Sequence, residues 1–353
     1  MAVITLKGLI DKNELGVTLP HEHIFTDLSF TYDFPKKPEE RKFAFDKVSI
    51  ENLHLLKNNP GLIKNNLFLD EEDLAIKELS KFIDYGGKSI VDVTSIGVSP
   101  KRKEITEITG KIDLNVILGT GFYIKESLSN DILNLSSDSL KQIMIKEFEE
   151  GIESTNFRAG IIGELGTGPE IGHWEEKLLK AAASAQKITG LAISVHIQAV
   201  PTLKEFKGEL NGLKVLNLLE KAGADIEKTV ICHADAKTDL KYLKKIAEIG
   251  AYVEFDHLGK DFYFASNDFL MDRDIDRITA IKELIEMGYT DKILISQDVC
   301  LKSDLCAYGG FGYAHILRDL LPVMKNKKIS IRDINRIIID NPARMLDIEK
   351  KYL

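Results

Sequence analysis

The chain has 353 residues, which is enough for one large α/β barrel or for two ordinary domains. Its hydrophobic share of 44% is typical of a globular protein with a full core, and its formal net charge of −8 argues against nucleic acid as a partner, because a phosphate backbone selects a basic surface. The three cysteines do not suggest a disulfide framework, so we expect a cytoplasmic protein. No signal peptide or membrane-spanning stretch is recognisable, and no membrane partner is expected.

In chain order, short apolar segments rich in β-branched residues alternate with longer segments of helical periodicity. This alternation predicts parallel strand–helix–strand units. The eight predicted strands are 17–25, 88–95, 115–122, 160–166, 192–198, 229–235, 251–256 and 292–298.

The helical segments between these strands place apolar residues three and four positions apart. Each ends at a glycine, which accepts the left-handed backbone conformation that closes a helix. The clearest predicted helices are 70–86, 136–151, 173–190, 213–223, 238–250 and 274–288.

Eight such units favour a closed (β/α)8 TIM barrel, and a large doubly wound open sheet is the alternative. No low-complexity linker or internal boundary interrupts the pattern, which predicts a single domain over residues 1–353. The segment 27–70 is long and mixed, and it separates the first strand from the first regular helix. We expect it to be an insertion near the mouth of the barrel.

The first strand carries the motif HEH at residues 21–23. Side chains alternate along a strand, so His21 and His23 share one face, where both imidazoles could reach one metal ion, and Glu22 points the other way. Two unrelated histidines at a strand end remain the alternative for this motif taken alone.

Later strands carry single polar residues after apolar runs. Glu164 lies in GIIGELG, His196 in ISVHI, His233 in VICHAD and Asp298 in ILISQD. Each is placed where a parallel strand reaches the barrel mouth, which is where such barrels hold their catalytic groups. A salt bridge for Glu164 and a hydrogen-bonded core position for either histidine are the alternatives. Half of the chain's eight histidines fall in the combined set, and imidazole with carboxylate suits zinc and similar divalent ions.

The pattern resembles the phosphotriesterase-like family of the amidohydrolase superfamily, from GVTLPHEH through RAGIIGELGT and GGFGYAHIL to NPARML. The resemblance implies two divalent metal ions, with Zn²⁺ the first expectation and Mn²⁺ or Co²⁺ as alternatives. The ligands it implies are His21, His23, Glu164, His196, His233 and Asp298. This sequence departs from the pattern of many family members at the position that bridges the two metal ions. AGIIGELG has a glutamate there, Glu164, and not a lysine that could be carbamylated. The family also implies a homodimer.

The implied chemistry is hydrolysis by a water that two metal ions share and that loses its proton near neutral pH. Asp298 is the expected catalytic residue, since it can accept the proton of the nucleophile and return it to the leaving group. A barrel that binds metal without catalysis is the distant alternative.

For the substrate, the cations after strands seven and eight are informative, because loops there form the usual phosphate site of such barrels. Lys260 and Arg273 are the candidate substrate-binding cations, with solvated surface charges as the alternative for each. Tyr123, just past strand three, is a candidate hydrogen-bond donor to the substrate or else a packed aromatic. We therefore expect a small anionic substrate, a phosphorylated sugar 1,4-lactone, with a phosphotriesterase or a broad or acyl-homoserine lactonase as the alternative activity.

Overall fold

The computed structural model describes residues 2–108, 110–201, 210–264 and 267–352. Its main sheet has eight strands in which chain neighbours are also sheet neighbours, and every paired register is parallel. We number the strands β1 (Thr18–Glu22), β2 (Ser89–Asp92), β3 (Asn115–Thr120), β4 (Ala159–Gly166), β5 (Ile193–His196), β6 (Thr229–Ile231), β7 (Tyr252–Phe255) and β8 (Ile293–Ile295).

The sheet curves round until its last strand meets its first. The backbone N–H of His21 donates to Ser296 Oγ at 3.2 Å, and the N–H of Asp298 donates to the carbonyl of His21 at 3.3 Å. These bonds join β1 to the chain just after β8. The predicted TIM barrel is confirmed, and all eight predicted strands are present.

In the described ranges, six long helices pack outside the barrel at the predicted positions. In the helix Leu240–Ile249, Leu243, Ile246 and Ala247 are buried at the spacing of one helix face, and the side chain of Asp239 caps the N-terminus. The other five are Glu72–Asp84, Ser137–Glu149, His173–Thr189, Gly212–Ala222 and Asp274–Glu286. Shorter helices are Pro38–Arg41, Leu53–Leu56, Ile105–Ile108, Asn130–Leu133, Leu321–Asn326, Ile331–Asn335 and Asn341–Leu346.

Two apolar layers hold the fold together. One lies between the strands and the surrounding helices. The other fills the barrel and includes Val91, Ile117, Ile161, Val230 and Leu294. Because side chains alternate along each strand, the residues nearer the carboxyl ends of the strands can point into the same interior, where polar groups replace apolar ones.

The segment 27–70 begins and ends at a two-stranded pairing of Thr26–Asp27 with Phe68–Leu69. It has a small apolar core of its own, made by Val48, Leu56, Leu62 and Ile63. Its Asn66 Oδ1 accepts the backbone N–H of Ser303 at 2.8 Å, so the segment packs on the loop that follows β8, at the carboxyl end of the barrel.

Among the described residues, two further antiparallel pairs lie outside the barrel sheet, Ala2–Thr5 with Gly8–Asp11 and Tyr263–Phe264 with Phe269–Leu270. Among the helices of the described ranges, none combines the length and apolarity needed to cross a bilayer.

Candidate metal centre

Six buried or nearly buried side chains meet at the carboxyl end of the barrel. They are the residues singled out in the sequence: His21, His23, Glu164, His196, His233 and Asp298. His233 and Asp298 have backbone φ angles of 57° and 50°, a region that non-glycine residues seldom occupy. Both follow the end of a strand, and the turn there directs each side chain towards the others.

Glu164 lies at the middle of the cluster. Its Oε1 is 3.3 Å from His23 Nε2, and its Oε2 is 3.3 Å from His196 Nδ1. The Nε2 atoms of His21 and His233 are each 3.7 Å from the same Oε2. One carboxylate therefore faces all four imidazoles, which is the arrangement expected of a bridging ligand.

Asp298 closes the cluster from the β8 side. Its Oδ1 is 3.4 Å from His23 Nε2 and 3.9 Å from His21 Nε2. Its Oδ2 accepts a hydrogen bond from Lys260 Nζ at 2.7 Å. The two oxygens of Asp298 therefore have different partners. Oδ1 faces the histidines, and Oδ2 accepts a hydrogen bond from the lysine.

The donor atoms fit a divalent metal. Within the described part of the chain, His21 Nε2 and Glu164 Oε2 are buried and find no hydrogen-bond partner, although burial of such polar groups without a partner is costly. Ligand atoms of His21, His23 and Asp298 lie within 4.8 Å of one another, as do those of His21, Glu164 and His233. Imidazole nitrogens and carboxylate oxygens at this density are the ligands that zinc and its neighbours prefer.

The electrostatics of the cluster are strongly coupled. Burial lowers the pKa of His21, but the charges of Asp256 and Glu254 outweigh burial and raise it to about 9. Burial also lowers the pKa of His23, while hydrogen bonds to Asp298 and Glu164 raise it to about 10. Without metal, the cluster therefore holds protons on imidazoles that a metal ion would have to displace.

A second layer of polar groups orients the histidine rings. His21 Nδ1 is 3.1 Å from Glu254 Oε2, His23 Nδ1 is 2.9 Å from Thr94 Oγ1, and His233 Nδ1 is 3.0 Å from Asp256 Oδ1. A bond at Nδ1 fixes each ring with Nε2 towards the centre. Glu254 and Asp256 were not predicted from the sequence as part of this site. Two acids at alternate positions of the buried segment AYVEFD were the available signal.

Glu22, set aside in the sequence because it points away from the two histidines, is buried and accepts three hydrogen bonds. The donors are Ser296 Oγ at 2.7 Å and the backbone N–H groups of Gln297 at 2.8 Å and Val299 at 2.7 Å. These bonds tie β1 to the short segment that carries Asp298.

The three candidate substrate residues differ in position. Lys260 is 6% exposed. Its Nζ donates a hydrogen bond to Asp298 Oδ2 at 2.7 Å and lies 3.2 Å from Cys300 Sγ. Tyr123 is also buried, with its hydroxyl 3.2 Å from His196 Nδ1. The side chain of Arg273 is instead 68% exposed, with its Nε 3.6 Å from Asp276. The structure therefore brings Lys260 and Tyr123 to the cluster but not Arg273, and a substrate contact by each of the three stays a prediction.

Comparison with known proteins places this arrangement among metal-dependent hydrolases. The model of the phosphotriesterase family matches residues 1–346. An N-acetyltaurine hydrolase from Dictyostelium discoideum is 34% identical, with 98% of each chain covered. Among solved structures, a resiniferatoxin-binding protein from Rhodobacter sphaeroides is 35% identical with a TM-score of 0.93, covering 98% of this chain and 95% of that one. A lactonase from Listeria monocytogenes is 26% identical with a TM-score of 0.78, covering 99% and 100%.

Proposed function

This chain belongs to the phosphotriesterase family, and we propose that it is a metal-dependent hydrolase that cleaves the amide bond of a small anionic N-acyl compound of the N-acetyltaurine type. The observation that carries the reaction class is the buried or nearly buried set of four imidazoles and two carboxylates, with Glu164 at its middle. Support for the substrate class comes from the N-acetyltaurine hydrolase that matches 98% of this chain.

The metal content is part of the proposal. We propose two divalent ions, with zinc as the first choice and manganese or cobalt as alternatives that these ligands also accept. When bound, such ions supply a Lewis acid for the substrate carbonyl and a water that ionises near neutral pH. Elemental analysis of the purified protein tests both the identity and the number of ions.

The remaining steps fall to residues of the chain. Asp298 accepts the proton of the attacking water and delivers it to the leaving nitrogen, which an amide needs because an unprotonated amine is a poor leaving group. Lys260 keeps Asp298 ionised, since its charge, acting against the effect of burial, holds the pKa of that carboxyl well below its usual range. Tyr123 donates a hydrogen bond to the substrate oxygen from beside His196.

The anionic group of the substrate is assigned to Lys260, whose Nζ lies between Asp298 and Asp304 at the edge of the centre, 2.7 Å and 3.7 Å from their Oδ2 atoms. Two carboxylates share this single ammonium, so their repulsion of a ligand is smaller for a singly charged sulfonate or carboxylate than for a phosphate dianion. This difference in ligand charge is the reason for placing an N-acyl sulfonate or carboxylate ahead of the phosphorylated sugar 1,4-lactone.

Lactone hydrolysis is the second candidate function. The Listeria monocytogenes lactonase shares the barrel over 99% of this chain, and lactone opening uses the same water activation and the same proton transfer. Within this candidate, the phosphorylated sugar 1,4-lactone comes first, and an acyl-homoserine lactone or a phosphotriester follows.

The test is a substrate panel on the metal-loaded protein. It contains N-acetyltaurine, a phosphorylated sugar 1,4-lactone with its unphosphorylated counterpart, an acyl-homoserine lactone and a neutral phosphotriester. We expect kcat/KM for N-acetyltaurine to exceed the others by about tenfold or more, and Asp298→Asn should lower acetate release by about a hundredfold or more. Faster opening of the phosphorylated lactone, with no acetate released, would replace the first candidate with the second.

Assembly and compartment complete the proposal. We propose a cytoplasmic homodimer acting on free small molecules. Analytical ultracentrifugation and cell fractionation are the direct measurements.

A further inference from the structure

His315 lies in the GGFGYAHIL segment and has no assigned part in the centre described above. It is 3% exposed and sits between two carboxylates, with Nδ1 2.8 Å from Asp319 Oδ2 and Nε2 2.8 Å from Asp274 Oδ2. The ring of Phe311 stacks on it at a centroid distance of 4.1 Å. Each ring nitrogen of His315 therefore has a carboxylate oxygen within hydrogen-bond distance, and the ring bridges Asp319 and Asp274.

Asp274 links His315 to the loop after β7, because its carboxylate contacts both. Its Oδ1 accepts the backbone N–H of Gly259 at 2.8 Å, while its Oδ2 is held by His315. On the same helix, Arg277 is fully buried and donates from Nη1 to the carbonyl of Lys260 at 2.8 Å. The residues on both sides of the Gly259–Lys260 peptide are therefore fixed by the start of this helix.

The other end of the loop is held by the same arginine. Arg277 Nε lies 3.0 Å from Asp235 Oδ2, and this carboxylate accepts the backbone N–H of His257 at 3.1 Å. The four residues 257–260 thus rest on a largely buried network of Asp235, Arg277 and Asp274, which ends at His315.

Packing adds to these bonds. Gly259 has a φ of 93°, and a Cβ placed on it would come within 3.2 Å of His315 Cδ2 and 3.3 Å of Phe311 Cδ2. The His315 ring therefore lies directly against the backbone of the loop. A smaller side chain at position 315 would leave the loop without this support.

We propose that His315 is a positioning residue, which acts through Asp274 to fix the loop 257–260 so that the Lys260 ammonium reaches Asp298. The inference rests on the proposed function in one respect, which is that Lys260 contributes to turnover. Lys260 has a long flexible side chain, and its 2.7 Å contact with Asp298 needs a backbone that does not move. A displacement of about 1 Å at such a contact can lower turnover by about a hundredfold.

Two isosteric variants separate the two sides of the ring. In His315→Gln the side-chain amide can reach the place of Nε2 and donate to Asp274, whereas in His315→Asn it reaches only the place of Nδ1, towards Asp319. We expect His315→Asn to lower kcat/KM by about tenfold or more and His315→Gln to lose less. The exposed His173→Asn is the matched control and should behave as wild type. An equal loss in both His315 variants would overturn the assignment to Asp274.

A double-mutant cycle with Lys260→Met tests whether the effect passes through the lysine. We expect His315→Asn to cause no further loss of kcat/KM in the Lys260→Met background, because the residue it positions is gone. The same fold loss in both backgrounds would contradict the inference and indicate a general structural role.

Hydrogen exchange gives a readout that needs neither substrate nor metal. The amide of Gly259 should exchange faster in metal-free His315→Asn than in wild type, and the exchange in His315→Gln should be closer to wild type. Unchanged exchange at Gly259 in His315→Asn would overturn the proposal. If Lys260→Met leaves kcat/KM unchanged, the proposed role of the lysine fails, and the exchange result still decides whether His315 positions the loop.

Discussion

Replacing Glu22 with glutamine removes one acceptor from a buried carboxylate that receives three hydrogen bonds. Oε1 accepts from Ser296 Oγ and from the backbone N–H of Gln297, and Oε2 accepts from the N–H of Val299. A glutamine side chain has a single oxygen. Whichever way its amide is turned, its NH2 group faces a backbone N–H, and one buried donor is left without an acceptor.

The size of the effect follows from that geometry. Loss of a hydrogen bond to a charged group together with an unsatisfied buried N–H costs about 2–4 kcal/mol. Burial raises the pKa of Glu22 to about 7 even against the bonds from Val299 and Gln297, so the carboxylate itself is costly to bury and the neutral amide recovers part of the loss. We expect the free energy of unfolding to fall by about 2 kcal/mol.

Activity should fall further than stability suggests. Asp298 lies between the two backbone groups that Glu22 holds, with a φ of 50° that the surrounding bonds must maintain. A shift of about 1 Å in its carboxylate would lower kcat/KM by about a hundredfold.

The assay is urea denaturation of the metal-free protein together with kcat/KM of the loaded protein. Glu51→Gln, at an exposed position, is the matched control and should change neither quantity. A Glu22→Gln protein with wild-type unfolding free energy and wild-type kcat/KM would refute this account of the β8 loop.

Other predictions concern the metal centre itself. Asp298→Asn should lower kcat by about a hundredfold or more while elemental analysis finds most of the metal retained, and metal loss equal to the activity loss would mean that Asp298 acts only as a ligand. Metal affinity should rise with pH up to about 9–10, because the pKa values of about 9 for His21 and about 10 for His23 mean that binding must release their protons. Titration calorimetry in buffers of different ionisation enthalpy measures the number of protons released on metal binding. If no proton is released at neutral pH, the assignment of His21 and His23 as metal ligands is contradicted. Because Glu164 stands at the bridging position, reconstitution without bicarbonate should restore the same activity as with it, and a bicarbonate requirement would argue against a glutamate bridge.

Much of the fold was predictable because its signals are local. Strand and helix periodicity, with glycine at helix ends, can be recognised within about ten to twenty residues of sequence. In a parallel barrel the carboxyl ends of all strands lie at the same end of the molecule. Gly190 and Gly223 indeed close their helices with φ angles of 68° and 79°. The same reasoning placed Glu164 and His233 at one mouth, where the structure has them together.

Side-chain direction beyond the strands was not predictable in this way. Arg273 and Arg277 are four residues apart and chemically identical in sequence, yet Arg273 is exposed at the start of its helix and Arg277 is fully buried one turn later. The sequence offered no basis for preferring one over the other, because the path of the preceding loop decides which turn of the helix faces the barrel.

The sequence by itself determined the barrel, the order of its strands and the residue types at their carboxyl ends, since each depends on neighbours along the chain. Only the tertiary structure decided which of those residues act together. Glu22 meets Val299, Lys260 meets Asp298, and His315 meets Asp274 across 277, 38 and 41 positions of sequence. Such contacts arise where closure of the barrel brings distant loops to one mouth, and burial there makes each charge find a partner.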